Sequence, residues 1–161
     1  MTPKGAKYRR DGTDRLFSTT LVLPSAEAEN LRRLHAQLLL GLVSLGGKAG
    51  RFSQASTIRA GVRYLVESCA KSSKMRAHLV ESARRLQAGT GKIGSPGERI
   101  NVYLLREDLP ELLNLQVHLM AHNIESSRTL VLRCGVDLLG KTRQEPGSWM
   151  RIVRLAKSLL S

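Results

Sequence analysis

Two stretches of this 161-residue chain carry the same order of signals, which leaves few ways to fold it. Residues 16–24 (LFSTTLVLP) alternate and are rich in Thr, Val, Leu and Phe, the pattern of a short strand. Pro24 ends it, and Ser25 stands where a helix cap is expected. The helix that follows, about 26–45, puts Ala28, Leu31, Leu34 or His35, Leu38, Leu42 and Leu45 on one face. Gly46, Gly47 and Gly50 break it, and Ser53 caps a second helix with Ile58, Val62, Leu65 and Val66 on its apolar side. The order returns at 99–105 (RINVYLL), which alternates as a strand. Asp108 is placed to cap a helix over about 109–122, with Pro110 in its first turn, where proline is tolerated. Its expected buried face is Leu109, Leu112, Leu113, Gln116 or Val117, and Met120. After Asn123, Ser127 caps a further helix carrying Leu130, Leu132, Val136 and Leu139.

The two copies superpose residue by residue. Leu21-Val22-Leu23-Pro24 lies over Val102-Tyr103-Leu104-Leu105, and Ser53 to Val62 lies over Ser127 to Val136, both ending in R-x-G-V. Serine, motif and element order together point to an internal duplication, with the first copy seven residues longer between strand and second cap (24 to 53 against 105 to 127). One such unit is too small to bury both faces of its helices and leaves its strand unpaired. Two units in one chain remove both difficulties if the strands pair and the helices interlock. The connection is long enough: KSSKMRAHLVESARRLQ reads as a helix with Met75, Leu79, Ala83 and Leu86 on one side, and GTGKIGSPG (89–97) as a flexible hinge.

Strand–helix–helix units of about fifty residues with a Ser-capped second helix resemble the ribbon-helix-helix family of Arc and MetJ. The resemblance covers roughly 15–69 and 98–140; Leu105 departs from it where the first copy has Pro24. The expected fold is mainly α with a two-stranded antiparallel β-ribbon, a tandem ribbon-helix-helix forming a single-chain pseudo-dimer. The expected division is a basic arm (1–14), a first repeat (15–69), a helical connection and hinge (70–98), a second repeat (99–140) and a C-terminal amphipathic helix (141–161). What the resemblance implies is sequence-specific binding to double-stranded DNA and transcriptional regulation in a bacterium. Single-chain tandem members of the TraY type add plasmid or mobile-element transfer genes as the setting. Two other roles stand beside it: a relaxosome accessory or architectural factor at a transfer origin, and a protein-interaction module such as an antitoxin or coactivator.

A two-stranded ribbon fits the major groove, where its outward side chains meet base edges that distinguish all four pairs. Alternation turns Thr19, Leu21, Leu23, Ile100, Val102 and Leu104 toward the helices. That leaves Ser18, Thr20 and Val22, and Arg99, Asn101 and Tyr103, facing out as candidate base contacts. The opposite register would bury Arg99 and Asn101. The second strand holds the stronger readers, Arg toward guanine and Asn toward adenine, while Val22 suits a thymine methyl. Phosphate contacts are expected at the starts of the second helices, where free backbone N–H groups favour anions: Ser53, Gln54, Ser127 and Arg128, with Lys48 and Arg51 just ahead of the first cap. Lys4, Lys7, Arg9 and Arg10 could serve as an arm along the neighbouring backbone or minor groove.

The formal charge of +13 fits a polyanion partner, nucleic acid before anionic membrane. Its distribution is uneven. Residues 1–15 and 16–69 each carry +3, 70–98 and 141–161 each +4, and 99–140, which holds the stronger readers, −1. Charge thus belongs to anchoring and not to reading. Other chemistries find little support. Cys69 and Cys134 are too few for a disulfide scaffold and are expected reduced and partly buried in a cytosolic protein. His118 and His122 share a helix face but lack an HExxH glutamate, so no metal or cofactor is expected. GTGKIGS lacks the spacing of a phosphate-binding loop, and no nucleophilic set presents itself, so the chain is not read as an enzyme. The longest apolar stretch, Leu38 to Leu45, is far short of the roughly 20 residues that span a bilayer. A cytoplasmic, nucleoid-associated protein is expected, with double-stranded DNA as partner, side-by-side copies on DNA, and a transcription or transfer protein as a further contact. The segment Ser148 to Ser161 reads as a capped amphipathic helix with Trp149, Ile152, Val153, Ala156 and Leu160 on one side.

Overall fold

The computed structural model describes residues 16–47, 49–89 and 97–160. Two nine-residue strands, β1 (Leu16–Pro24) and β2 (Gly97–Leu105), form an antiparallel two-stranded sheet. Among the described residues there are six α-helices, α1 (Ser25–Ser44), α2 (Gln54–Lys71), α3 (Ser73–Gly89), α4 (Leu109–Ala121), α5 (Arg128–Thr142) and α6 (Pro146–Leu159), of which α1, α2 and α5 pack on the sheet. The strands pair within the chain, with Leu16 opposite Leu105 and Pro24 opposite Gly97. At the middle of the ribbon Thr20 faces Asn101, two positions that superposing the repeats also equates. Alternation falls as expected: Leu21, Leu23, Val102 and Leu104 are buried, and the residues between them are exposed.

The first helix of each copy ends by the same device. Gly46 (φ 75°) and Asn123 (φ 60°) take the left-handed conformation just past α1 and α4. Gly47 N–H then reaches the Leu42 carbonyl at 2.8 Å and Ile124 N–H the Leu119 carbonyl at 3.1 Å. Both turns satisfy carbonyls that a helix end leaves open. The second helices start on the expected caps. Ser53 Oγ accepts from Ser56 N–H while Ser56 Oγ accepts from Ser53 N–H, and Ser127 Oγ accepts from Leu130 N–H.

The R-x-G-V motif marks the centre of the packing. α2 and α5 cross at Gly61 and Gly135, so close that a Cβ on Gly61 would lie 2.9 Å from the Gly135 carbonyl oxygen. A Cβ on Gly135 would lie 2.9 Å from Val62 N. Only glycine lets two helix backbones meet in this way. The motif arginine also works across the copies. Arg133, almost fully buried, forms two hydrogen bonds to Glu27 at the start of α1 (2.8 and 2.6 Å) and one to the Leu86 carbonyl. In the other direction Asp108, the position equivalent to Glu27, receives Arg63 of α2 at 2.6 Å. Glu27 stays partly exposed, so the Arg133–Glu27 pair is half-buried; it ties the start of α1 to the middle of α5.

The correspondence between the two halves extends to a third pair of helices. Leu79-Val80, Ala83 and Leu86 of α3 correspond to Ile152-Val153, Ala156 and Leu159 of α6, each set facing the core. Each third helix packs on the second helix of the other copy, α3 on α5 and α6 on α2. Equivalent cations close the exchange: Arg84 donates to the His122 carbonyl past α4, and Lys157 to the Leu45 carbonyl past α1. Gly41 leaves room for Val153, since a Cβ there would lie 2.8 Å from the valine Cγ2.

Several expectations are corrected. Ser25 is the first residue of α1 and not its cap; Pro24 holds that position, without a side-chain hydrogen bond. Asp108 makes no capping bond either, because its carboxylate is taken by Arg63 and a 3-10 turn (Arg106–Asp108) leads into α4. The face of α4 is rotated: Leu112, Leu115 and Leu119 are buried, while Leu113, Val117 and Met120 are each more than half exposed. A strongly apolar helix (LPELLNLQVHLM) offers more than one stripe, and the crossing chose among them. Leu109 and Gln116 are only half-buried, as are Leu45, Val66, Met75, Trp149 and Leu160. β2 begins two residues early at Gly97, α2 and α5 end two residues late, and α6 starts at Pro146 and not Ser148. Both cysteines are fully buried and not partly so. Residues 90–96 of the expected hinge lie outside the described residues.

Gly61→Ala should destabilise the fold by about 1–3 kcal/mol, because overpacking against backbone outweighs the helix-propensity gain of about 1 kcal/mol. Gly50→Ala, where a Cβ meets nothing within 4 Å, should stay within about 0.5 kcal/mol. Urea unfolding midpoints check both. Acid sensitivity should have two steps. Burial holds the His35 imidazole below its ordinary 6.5, so the unfolded chain takes up that proton first and stability falls just below pH 6.5. Burial alone would raise the Asp137 carboxyl, but the Arg85 hydrogen bond and the Lys141 charge outweigh it and hold the group below 3.8. A depressed carboxyl stabilises above its unfolded value, and that stability is lost as pH falls through the folded one. Unfolding midpoints followed against pH should lose the first step in His35→Gln and the second in Asp137→Asn.

Candidate nucleic-acid interface

The outer face of the ribbon carries three cross-strand pairs: Ser18 with Tyr103, Thr20 with Asn101, and Val22 with Arg99. All six are exposed, Val22 at 49% and Tyr103 at 54%. Successive outward residues on a strand lie about 6.8 Å apart, so the three pairs span about 14 Å of ribbon. Thr20 Oγ1 donates to Asn101 Oδ1 at 3.1 Å. A carboxamide oxygen has two lone pairs, so this bond fixes the amide plane and leaves one acceptor and both amide hydrogens. Those are the groups an adenine edge requires. The underside is a dry layer of Leu and Val, so the ribbon cannot turn over without exposing it.

The second helices flank this face. α5 packs against β1 and α2 against β2, each on the strand of the other copy. Arg128, at the first turn of α5, stands over the Phe17 ring with its guanidinium carbon 4.7 Å from the centroid. This cation–π contact places the cation at the ribbon's edge. Ser53 and Ser127 spend their hydroxyls on capping, so what they offer an anion is the oriented N–H groups of the first turn. Arg51 is exposed in a 3-10 turn (Ala49–Arg51) just ahead of Ser53, and Gln54 is half-buried at the first position of α2. Lys48, Lys4, Lys7, Arg9 and Arg10 lie outside the described residues.

Two features of the site were not read from sequence. The Thr20–Asn101 bond needs the strand register, which no single copy specifies. The Phe17–Arg128 contact joins residues 111 positions apart; a lone aromatic at a strand start was its only signal. The His118 and His122 rings lie 4.7 Å apart, but no group of three or more His, Cys, Asp or Glu side chains suited to a metal occurs among the described residues. Burial pushes the Cys69 thiol up to about 11 and the Cys134 thiol up to about 12, which leaves neither as a nucleophile near neutrality. Among the described residues no helix is long and apolar enough to cross a membrane. Comparison with family models, with curated proteins and with solved structures finds no match in any of the three.

Both thiols should resist a disulfide reagent in the native protein at pH 8 and react together on unfolding. Reaction of either thiol in the native chain at a free-cysteine rate would contradict its burial.

Proposed function

We propose that this chain is a sequence-specific double-stranded DNA-binding protein, a tandem ribbon-helix-helix whose two copies do the work of two subunits. The observation that carries the reading is the intramolecular ribbon, with six exposed side chains on one face, a buried layer beneath, and an arginine and an asparagine among the six. The ribbon enters the major groove. Arg99 reads guanine, Asn101 reads adenine, and Tyr103, Ser18, Thr20 and Val22 complete the contact. Arg128, Arg51 and the two capped helix starts hold phosphates to either side and set the register without reading sequence. Transcriptional regulation is the role, and the family resemblance alone directs it to plasmid or mobile-element transfer genes.

The reading face is asymmetric, because Ser18, Thr20 and Val22 occupy the positions that Arg99, Asn101 and Tyr103 occupy in the second copy. The selected site should therefore not be a perfect inverted repeat. In fluorescence-anisotropy titrations, Asn101→Ala and Arg99→Ala should each cost about 1–3 kcal/mol on the preferred fragment and relax specificity at one position. Arg128→Ala should weaken binding to all sequences alike and flatten the salt dependence. Unchanged preference in both ribbon variants would favour a protein-interaction module. Footprints at a transfer origin and not at a promoter would favour the relaxosome role.

A further inference from the structure

The second helices carry the ribbon at one end and a cavity at the other. α5 begins at Arg128, over Phe17, and its last turn lies about 20 Å further along the helix axis. There α2 and α5, in backbone contact at their glycines, have diverged, and a cavity of about 460 Å³ lies between them. Equivalent positions of the two copies line it, Tyr64 with Leu138 and Ser68 with Thr142. It therefore sits on the approximate twofold relation that passes through the glycine pair and the Thr20–Asn101 pair.

Its charge is one-sided. Lys71 and Lys74 line it from the junction of α2 and α3, and Arg151 from α6. None of the three has a carboxylate within ion-pair distance among the described residues. Lys141 also lines it but is partly satisfied by Asp137 and Ser82, each at 3.3 Å. Among the described lining residues Glu145 is the one carboxylate. Two helix C-termini and two helix N-termini meet here, so their dipoles offset one another and the side chains decide the sign. Met75, Leu138 and the Tyr64 ring add an apolar wall. The volume lies in the range of small-molecule sites.

We propose that this cavity binds a phosphorylated small molecule of mononucleotide size. Lys71, Lys74 and Arg151 hold the phosphate, the arginine by its paired N–H groups, and the apolar wall receives the rest of the ligand. A second DNA duplex is the competing polyanion, but a duplex meets a concave site poorly, and Met75, Leu138 and the Tyr64 ring give this one an apolar part that a duplex backbone does not need. These cations lie at the far end of the molecule from the ribbon, so the charge of 70–98 and 141–161 is not all available to one bound duplex.

The test is calorimetric titration of the full chain, without DNA, with AMP, UMP and glucose 6-phosphate, and with adenosine as the unphosphorylated control. At least one phosphorylated probe should bind one site per chain, about tenfold or more tighter than adenosine. Lys74→Met and Arg151→Met should each weaken it about tenfold with unchanged thermal unfolding. Absence of binding to every probe at millimolar concentration would overturn the proposal, as would equal binding by the Lys74→Met/Arg151→Met double variant. A loss of duplex affinity in that double variant without probe binding would assign the surface to DNA instead. Because the titration contains no DNA, its outcome is independent of the proposed DNA-binding function.

Discussion

Two glycines set how near the halves of this chain approach each other. With Gly61 and Gly135 in backbone contact, α2 and α5 cross at a separation no side chain allows, and everything on either side follows from that crossing. Toward one end, the helix starts are brought beside the strands of the ribbon. Toward the other, the helices diverge and leave a basic cavity. A Cβ at the crossing would push the strands and the third helices apart together, since all of them pack on α2 and α5.

What holds the crossing is exchanged between the copies. Glu27 of the first is bound by Arg133 of the second, and Asp108 of the second by Arg63 of the first. The third helices are exchanged as well, each seated on the other copy's second helix and each donating from an Arg or Lys to the carbonyl that ends the other copy's first helix. Neither copy is complete without the other. The ribbon is consequently a product of the whole chain, and the same exchange keeps its buried face of Leu21, Leu23, Val102 and Leu104 against the helices. The proposed reading of DNA depends on that rigidity, because a base contact is specific only if the side chain is held in place.

Much of this was legible in the sequence. Strict alternation over a short segment fixes which residues face out, and all six outward assignments agree with the exposure seen. The serine caps and the R-x-G-V superposition located the second helices to within two residues. Less legible were features that depend on a partner far along the chain. The face of α4 was misjudged because Leu113, Val117 and Met120 are as apolar as the residues that are buried. Asp108 had the right chemistry for a cap, but an arginine 45 positions away had a stronger claim on it. The third matching helix is present as L-V-x-x-A-R-x-L against I-V-x-x-A-K-x-L, but one copy lies where a connection is expected and the other where a tail is, so neither position marks it as part of a repeat.

The charge takes a different meaning once the fold is known. The segment with the strongest of the proposed base readers has no positive excess, and some of the strongest excess lies at the opposite end of the second helices. In the proposed function, reading and anchoring are thus separate tasks, with the reading assigned to an uncharged or singly charged face of the ribbon. Methylation interference on the preferred fragment tests that assignment most directly, since methylation of guanine N7 alters the major groove alone. Under the proposed function, N7 methylation at a guanine in the site should abolish binding by the wild-type chain, and Arg99→Ala should no longer sense that one position. Binding that tolerates N7 methylation throughout the protected region would contradict it.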